Sequence, residues 1–260
     1  MSDSILLSVN NGVATITLNR PQVFNSFNKE MAFAMQDALD ECAKNSEVRA
    51  VLITGNGKAF CAGQDIQEIT NPDLNPGFKA ILDDHYNPIV LKIRNLEKPV
   101  VAAVNGVAAG AGANIALCCD VVIATESAAF IQAFSKIGLI PDSAGTFFLP
   151  RLIGFGKASA AMMLADKVTA TQADSMGMIY KAVTDDSFME TAQQTAQTLA
   201  ALPTVALANT KKALNQSFYN TVEQQLALES KLQIESAATD DYAEGVAAFM
   251  EKRKPEFRGK

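Results

Sequence analysis

The sequence contains a single histidine, no tryptophan and only four cysteines among 260 residues. Because His85 is the only imidazole, a metal site built from several histidines is excluded, and no metal ion is expected. A Ser-His-Asp triad would have to use His85, and no G-x-S-x-G motif is present to expose a serine nucleophile. The cysteines lack both C-x-x-C spacing and the density of a secreted disulfide scaffold, which indicates reduced thiols and a cytoplasmic location.

Positive charge is also scarce, since 28 Asp and Glu exceed 22 Lys and Arg and give a formal net charge of −6. A surface that binds nucleic-acid phosphates needs an excess of Lys and Arg, so nucleic acid is not an expected partner. Met1 is not followed by the basic and apolar segments of an export signal. The uncharged run from Pro99 to Cys119 is interrupted by Asn105, Asn114 and several glycines, so we interpret it as a buried strand, loop and helix and expect no membrane partner.

The apolar pattern predicts an α/β protein. Alternating apolar residues on both sides of Asn10-Asn11-Gly12 predict a β-hairpin, and Asn25 to Asn28 offer caps for a helix that runs to about Ala43. Helical spacings fill the chain after Pro203. We therefore predict a core over residues 1–200 and a C-terminal helical region over residues 201–260. Continuously apolar strands, typical of a sheet covered on both faces, are predicted over residues 48–54, 100–104, 121–124 and 179–183.

Two loops rich in small residues each join a buried strand to a helix. The first spans Ala59 to Ile66 and the second spans Asn105 to Asn114. The N–H groups at the start of a helix have no partners within the helix, and small side chains let a ligand approach them. Two such loops can converge to form an oxyanion hole, although either loop alone is also explained as a tight turn needed for packing. Neither loop contains a complete G-x-G-x-x-G or P-loop motif.

These segments, taken in order, resemble the crotonase superfamily of enoyl-CoA hydratases and isomerases. The resemblance implies a spiral of ββα units, and it implies an acyl-CoA thioester as substrate, with coenzyme A entering as part of that substrate and no other cofactor. It also implies a homotrimer or a dimer of trimers, with a hydratase partner as an open alternative. The matching segments are Thr17–Pro21, Phe60–Asp65, Lys98–Gly106, Cys119-Asp120, Ile137–Pro141, Leu149–Gly154 and Arg253–Phe257.

The resemblance also assigns the residues that bind the thioester. The oxyanion hole of the family maps onto the backbone N–H groups of Gln64 and Ala111, and each donor can contribute ~3 kcal/mol to stabilising an enolate. Arg20 and the basic tail Lys252–Lys254 are weaker candidates for binding the phosphates of coenzyme A. The remaining substrate-binding positions implied by the resemblance are Ala62, Asp65, Ile66, Gln67 and Gly110.

The departures from the family pattern concern the acid/base groups. Hydratases of this superfamily use two glutamates, and those positions are Asn114 and Phe134 here. Addition of water to a conjugated double bond needs a pair of groups to hold and activate the water, so this chain is a poor hydratase candidate. An acid appears instead at Asp142, where members that shift double bonds, and the dehalogenase branch, also carry an aspartate.

Asp142 is therefore the predicted acid/base group. Nearby phenylalanines are expected to desolvate its carboxylate and raise its pKa, which suits a base. The alternative is that Asp142 only caps the following helix, with help from Ser143. His85 and Tyr86 are interpreted as surface or pocket-wall residues without a role in proton transfer. The phenylalanines are Phe130, Phe134, Phe147 and Phe148.

Two segments narrow the expected activity. Phe60–Asp65 and Ile131–Ser143 resemble the branch that rearranges the ring epoxide of phenylacetyl-CoA to an oxepin and moves a Δ3 double bond to Δ2. A general Δ3,Δ2-enoyl-CoA isomerase or an enoyl-CoA hydratase of fatty-acid oxidation remains an alternative. A partner subunit that binds acyl-CoA without catalysis is an alternative from another class.

Overall fold

The computed structural model describes residues 3–260, and it begins with the expected hairpin. Strands β1 (Ile5–Asn10) and β2 (Val13–Leu18) pair antiparallel. Asn11 and Gly12 join them with φ angles of 49° and 80°, as the Asn-Gly turn of a two-residue hairpin requires. The prediction of a hairpin over the first twenty residues is confirmed.

Two sheets form the centre of the molecule. Beyond the hairpin the strands are β3 (Ala50–Gly55), β4 (Ala59–Cys61), β5 (Val100–Val104), β6 (Val107–Ala109), β7 (Val121–Thr125), β8 (Ala129–Ile131), β9 (Lys167–Thr169) and β10 (Lys181–Val183). The larger sheet has the order β1-β2-β3-β5-β7-β10, and its neighbours beyond the hairpin are parallel. The smaller sheet has the order β4-β6-β8-β9, with only β9 antiparallel to its neighbour.

The chain alternates between the sheets as it advances. β3, β5 and β7 of the larger sheet are followed by β4, β6 and β8 of the smaller sheet, and each pair leads into a helix. Along β3, Val51 and Ile53 belong to one apolar cluster while Ala50 and Leu52 belong to another. A strand buried on both faces is apolar at every position, which is why these strands lack alternation. The predicted α/β class with a spiral of ββα units is confirmed.

Helices cover both faces of this core and fill the C-terminal region. Helix α1 begins where the Asn28 side chain accepts the Met31 N–H, and its apolar stripe is buried as expected. The helices are α1 (Lys29–Lys44), α2 (Ile66–Thr70), α3 (Phe78–Ala80), α4 (Asn87–Asn95), α5 (Ala111–Leu117), α6 (Gly145–Ile153), α7 (Phe155–Leu164), α8 (Ala170–Ser175), α9 (Phe188–Ala201), α10 (Thr204–Ser217), α11 (Val222–Ala237) and α12 (Asp240–Glu251). A π-helical turn, Ile81–Tyr86, joins α3 to α4.

An ionic group with a buried lysine connects the C-terminal helices to the core. Lys211 on α10 pairs with Asp120 at 2.8 Å and donates to the carbonyl of Ile93 at 2.7 Å. Arg94 pairs with the other oxygen of Asp120 at 2.9 Å. Burial lowers the pKa of Lys211, and the charge of Asp120 opposes that shift. This ion pair holds α10 against the core. The division of the chain into a core over residues 1–200 and a C-terminal region over residues 201–260 stays a prediction.

The sequence pattern located the predicted strands of the larger sheet and missed the strands of the smaller sheet. The predicted strands over 48–54 and 179–183 begin two residues later, at Ala50 and Lys181. The strands of the smaller sheet are three residues long, too short for a period of two to appear. Within residues 3–260, no helix combines the length and the apolar character needed to cross a membrane.

Candidate active site

The two loops singled out in the sequence meet at one edge of the smaller sheet. β4 ends at Cys61 before the loop to α2, and β6 ends at Ala109 immediately before α5. β4 and β6 are neighbouring parallel strands, so their carboxyl ends lie side by side. In sheets of this kind ligands bind outside the carboxyl ends of the strands.

Gly63 is a point of close approach between the loops. Its φ of 93° lies in the left-handed region. A Cβ here would lie 3.0 Å from the carbonyl oxygen of Ala109 and 3.6 Å from the nitrogen of Ala111. The loops therefore pack backbone against backbone, which brings residue 64 beside residue 111.

The backbone N–H groups of Gln64 and Ala111 have no protein acceptor. The Phe27 N–H donates to Gly63 O at 2.7 Å, and the Phe27 carbonyl accepts the Asp65 N–H at 2.8 Å, so the intervening Gln64 N–H faces away from this bridge. Ala111 is the first residue of α5, where an N–H has no acceptor within the helix. Within residues 3–260 neither group donates a hydrogen bond. Two such donors side by side suit an oxyanion.

The side chain of Gln64 is held at both ends of its amide. Tyr86 Oη donates to Gln64 Oε1 at 3.0 Å, and Gln64 Nε2 donates to Glu68 Oε2 at 2.7 Å. The other oxygen of Glu68 accepts the Lys29 N–H at 2.7 Å, and the residue is 7% exposed. Glu68 thus acts as a fixed acceptor. Burial, reinforced by nearby negative charges, raises the Tyr86 pKa well above its usual value and keeps the phenol protonated as a donor.

Tyr86 therefore positions Gln64, a role that the sequence did not indicate for it. The substitution Tyr86→Phe removes only the hydroxyl, and we expect kcat to fall by about twofold to tenfold, since one hydrogen bond contributes about 0.5–1.5 kcal/mol. Steady-state kinetics with an acyl-CoA substrate measure this change. Tyr180→Phe, at a tyrosine that is 64% exposed, is the matched control. A Tyr86→Phe variant with the kcat of the wild type would contradict the positioning role.

Asp142 lies in the loop between the 3₁₀ turn Ala133–Ile137 and α6. Ser143 Oγ donates to Asp142 Oδ1 at 2.9 Å. Helix α6 begins after Ala144 and receives no side-chain cap, so the explanation of Asp142 as a helix cap is wrong. Burial and, to a smaller extent, nearby negative charges that include Asp142 raise the pKa of Tyr86, the phenol that donates to Gln64.

The electrostatics of Asp142 are those of a half-buried acid. Among residues 3–260 no Lys, Arg or His forms an ion pair with it. Desolvation raises the pKa of Asp142 above its usual value, and the hydrogen bond from Ser143 partly opposes the shift. The expected direction of this shift is confirmed. Phe147 was expected to contribute, but its ring contacts are with Phe148, Arg151, Phe218 and Tyr219.

The raised pKa predicts the pH dependence of the reaction. A base must be deprotonated to take a proton, so kcat/KM is expected to be full above the pKa of Asp142 and to fall as pH drops through it. Because the pKa is raised, this acid limb lies above the range in which an exposed aspartate titrates. A pH–rate profile measures it. An acid limb at the ordinary value of an exposed aspartate would contradict the desolvated base.

Asn114 and Phe134 occupy the two positions at which the family resemblance implies glutamates in hydratases. Asn114 is buried on α5 and donates to the carbonyl oxygen of Asp142 at 2.9 Å. Phe134 is buried, and its ring lies 3.7 Å from where a Cβ of Gly110 would be. Neither side chain can exchange a proton, so Asp142 remains the candidate acid/base group near this part of the site.

Most of the other residues predicted to bind the substrate already have partners within the protein, and Ile66 is exposed. The Ala62 N–H donates to Phe24 O at 3.0 Å, so it is not a free donor. Asp65 caps α2 through the Gln67 N–H and forms a 2.8 Å ion pair with Arg20. This ion pair engages the cation that was a candidate for phosphate binding, and in the tail Arg253 is likewise paired with Glu244 and Glu251. Ile66, at 69% exposure, presents an apolar surface beside the loops.

The site brings together residues that are far apart in sequence. Glu68 was missed, although its spacing of four from Gln64 is one at which side chains meet on a helix. The role of Tyr86 had one possible signal, because π-helical turns are frequent at functional sites, but the sequence did not predict that turn. Within the described residues, two N–H donors without an acceptor lie side by side where the loops meet, an arrangement that suits an enzyme that stabilises an oxyanion.

Comparison with known proteins agrees with this class. Residues 8–260 match the enoyl-CoA hydratase/isomerase family. The chain is 45% identical to the 1,2-epoxyphenylacetyl-CoA isomerase of Escherichia coli K12, with 100% of both chains covered. It is 44% identical to a probable enoyl-CoA hydratase of Rhodobacter capsulatus, covering 99% of this chain and 98% of that protein. The crystal structure of a putative enoyl-CoA hydratase from Streptomyces coelicolor A3(2) superposes with a TM-score of 0.93 at 35% identity, covering 99% and 94% of the two chains.

The chain belongs to the enoyl-CoA hydratase/isomerase family, that is, to the crotonase superfamily. The predicted membership and the prediction of an enzyme are confirmed. The identities to an isomerase and to a probable hydratase differ by only one percentage point, 45% against 44%. Similarity alone therefore does not separate these two activities, and the residues of the site have to do so.

Proposed function

We propose that this protein is an acyl-CoA isomerase in which Asp142 moves a proton while the N–H groups of Gln64 and Ala111 bind the thioester oxygen. The observation that carries the proposal is the half-buried Asp142 carboxylate, which has no cation partner within residues 3–260. Its main chain contacts Asn114 on α5, the helix that begins with the N–H donor of Ala111. Asn114 and Phe134, at the positions of the hydratase glutamates, offer no second acid/base group.

The geometry supports a proton shuttle for a Δ3 to Δ2 shift. Asp142 takes the proton from C2, and the electron pair of that C–H bond moves towards the thioester oxygen to give a dienolate. The N–H groups of Gln64 and Ala111 stabilise the negative charge on oxygen by about 3 kcal/mol for each donor. The protonated Asp142 then delivers the same proton to C4, so the double bond lies between C2 and C3 and no atom is gained or lost.

We propose 1,2-epoxyphenylacetyl-CoA as the principal substrate, converted to the oxepin-CoA, with the Δ3 to Δ2 shift as a second activity. The Escherichia coli relative that is 45% identical carries the name of this isomerase. The rearrangement is also an isomerisation of an acyl-CoA thioester, and it can use the same oxyanion site and a single carboxylate. Phe134 gives the site an apolar wall where a hydratase would carry a glutamate.

A general Δ3,Δ2-enoyl-CoA isomerase is the nearest alternative, because it uses the same carboxylate and the same two donors. An enoyl-CoA hydratase is less favoured. Hydration needs groups that hold and activate water, and the buried Glu68 already accepts hydrogen bonds from the Lys29 N–H and from Gln64. A partner subunit that binds acyl-CoA without catalysis is disfavoured by the presence of Asp142.

One set of assays separates these functions. The purified protein is mixed with 1,2-epoxyphenylacetyl-CoA, a straight-chain 3-enoyl-CoA and a 2-enoyl-CoA, and kcat/KM is measured for each. We expect isomerisation of the first two, the epoxide being the better substrate, and little hydration of the third. A preference for the 3-enoyl-CoA would favour the general isomerase. Binding of all three without any change in absorbance would identify a non-catalytic subunit and overturn the proposal.

The C-terminal helices support the proposed homotrimer or dimer of trimers in the cytoplasm. Large apolar side chains lie exposed on α10 to α12, as expected of surfaces that associate. The four cysteines are free and buried, which suits a reducing compartment. Sedimentation of the purified protein measures the assembly, with or without a hydratase partner. The exposed side chains are Leu214, Phe218, Val222, Leu226, Ile234, Val246, Phe249 and Met250.

A further inference from the structure

The backbone around Asp142 has an unusual conformation that needs support. Ser143 and Ala144 both have positive φ angles, 49° and 59°, in the left-handed region that residues with a Cβ rarely adopt. This conformation is unfavourable for such residues and persists only where the surrounding structure holds it. The carbonyl oxygen of Asp142 accepts the Gly145 N–H at 2.8 Å and Asn114 Nδ2 at 2.9 Å. The second contact, from the buried α5, is the external support of this turn.

Gly145 leaves the space that the Asn114 amide occupies. A Cβ at position 145 would lie 2.4 Å from Asn114 Nδ2 and 2.6 Å from Asn114 Cγ, closer than atoms can approach. Glycine is therefore required here for contact with the amide. The amide, Gly145 and the Asp142 carbonyl form one packed unit.

Gln132 fixes the direction in which the Asn114 amide points. Gln132 Nε2 donates to Asn114 Oδ1 at 2.7 Å, so Asn114 Nδ2 is turned towards the Asp142 carbonyl. Both residues are buried: Asn114 is 2% exposed and Gln132 is 3% exposed. Gln132 Oε1 has no hydrogen-bond partner in the described chain, and a buried acceptor left unpaired is destabilising. The hydrogen bond that Gln132 Nε2 donates to Asn114 gives this buried amide a structural role.

We propose that Asn114, oriented by Gln132, is a positioning residue that holds the main chain of Asp142 and so fixes the place of the catalytic carboxylate. The inference rests on the proposed function of Asp142. Asn114 occupies a position at which hydratases carry a glutamate, and here its amide contacts the main chain of Asp142. The dependence of the reaction on one carboxylate makes its placement critical, because a displacement of about 1 Å can cost 10²-fold in rate.

The test compares variants at the amide with variants at its neighbours. Asn114→Asp keeps the shape but turns an oxygen towards the Asp142 carbonyl in place of the donor, and Asn114→Ala removes the amide. We expect kcat to fall by about tenfold to 100-fold in both, with KM little changed. The acid limb of the pH–rate profile should move to lower pH, because a displaced Asp142 is better solvated. Gln132→Met, which touches neither Asp142 nor its turn, should give a smaller change in the same direction.

A double-mutant comparison adds a readout that general destabilisation does not mimic. Gly145→Ala forces the amide away, so it should lower kcat as Asn114→Ala does, and the double variant should be no worse than either single one. Asn209→Ala is the matched control, since Asn209 Nδ2 also reaches a carbonyl, Leu232 O at 3.4 Å, on the C-terminal helices. That control should keep the kcat and the acid limb of the wild type.

The outcomes distinguish this inference from the proposed function. If Asp142→Asn is inactive while the Asn114 and Gln132 variants keep the kcat and acid limb of the wild type, the positioning role is wrong and the function stands. Fully additive losses in Asn114→Ala and Gly145→Ala would also overturn it. If Asp142→Asn itself keeps full activity, the proposed function fails first.

Discussion

Replacing Asp142 by asparagine is expected to lower kcat for isomerisation by about 10²–10⁴-fold, the range in which a positioned acid/base group contributes. The amide has nearly the same shape as the acid, but it cannot take the proton from C2 or return it to C4. The surroundings tolerate the change, because the carboxylate forms no ion pair and its described partner is the Ser143 hydroxyl, which can also donate to an amide oxygen. KM should change little.

The measurement uses both a 3-enoyl-CoA and the ring epoxide of phenylacetyl-CoA. Asp186→Asn, at an exposed position in a 3₁₀ turn remote in sequence from either loop, is the matched control and should behave as the wild type. Thermal unfolding of the Asp142→Asn variant should be unchanged or slightly improved, since a partly desolvated charge is removed. A kcat near that of the wild type with both substrates would rule Asp142 out as the acid/base group.

The sequence predicted those parts of the fold that depend on local patterns. The Asn-Gly turn, the cap at Asn28 and the strand Val100–Val104 each follow from residues within a short window. The smaller sheet was not predicted from these patterns. Its strands are three residues long, and they are stabilised by pairing with segments about 20 to 50 positions away, which no periodicity records.

In the candidate site, too, the features with a local sequence pattern were predicted and those that depend on distant contacts were not. The loops and Asp142 were visible as segments, because each follows a strand or precedes a helix. The hydrogen bond of Tyr86 to Gln64 and that of Asn114 to Asp142 join residues 22 and 28 positions apart. Such contacts depend on how the layers pack, and a single sequence contains no direct signal for them. The supporting roles of Tyr86 and Asn114 were therefore not predicted, although the residues that they support were found.

Replacing Gly63 by alanine is expected to lower kcat by about 10²–10³-fold, corresponding to the roughly 2.7–4 kcal/mol lost with one oxyanion donor. The new methyl group would lie 3.0 Å from Ala109 O, and the φ of 93° is one that alanine avoids. The loop must shift to relieve both strains, and the Gln64 N–H moves with it. The acid limb of the pH–rate profile should stay in place, because Asp142 is on another loop.

The matched control separates loss of the oxyanion site from backbone strain alone. Gly177→Ala also places alanine at a positive φ, 76°, but its nearest neighbour, Leu152 O, is at an ordinary contact distance of 3.8 Å. It should lose about 1 kcal/mol of stability and keep its kcat. Circular dichroism and thermal unfolding show whether both variants fold. If a folded Gly63→Ala variant retains the kcat of the wild type, the thioester oxygen is not held at the meeting point of these two loops, and the Gln64 N–H has no part in stabilising the enolate.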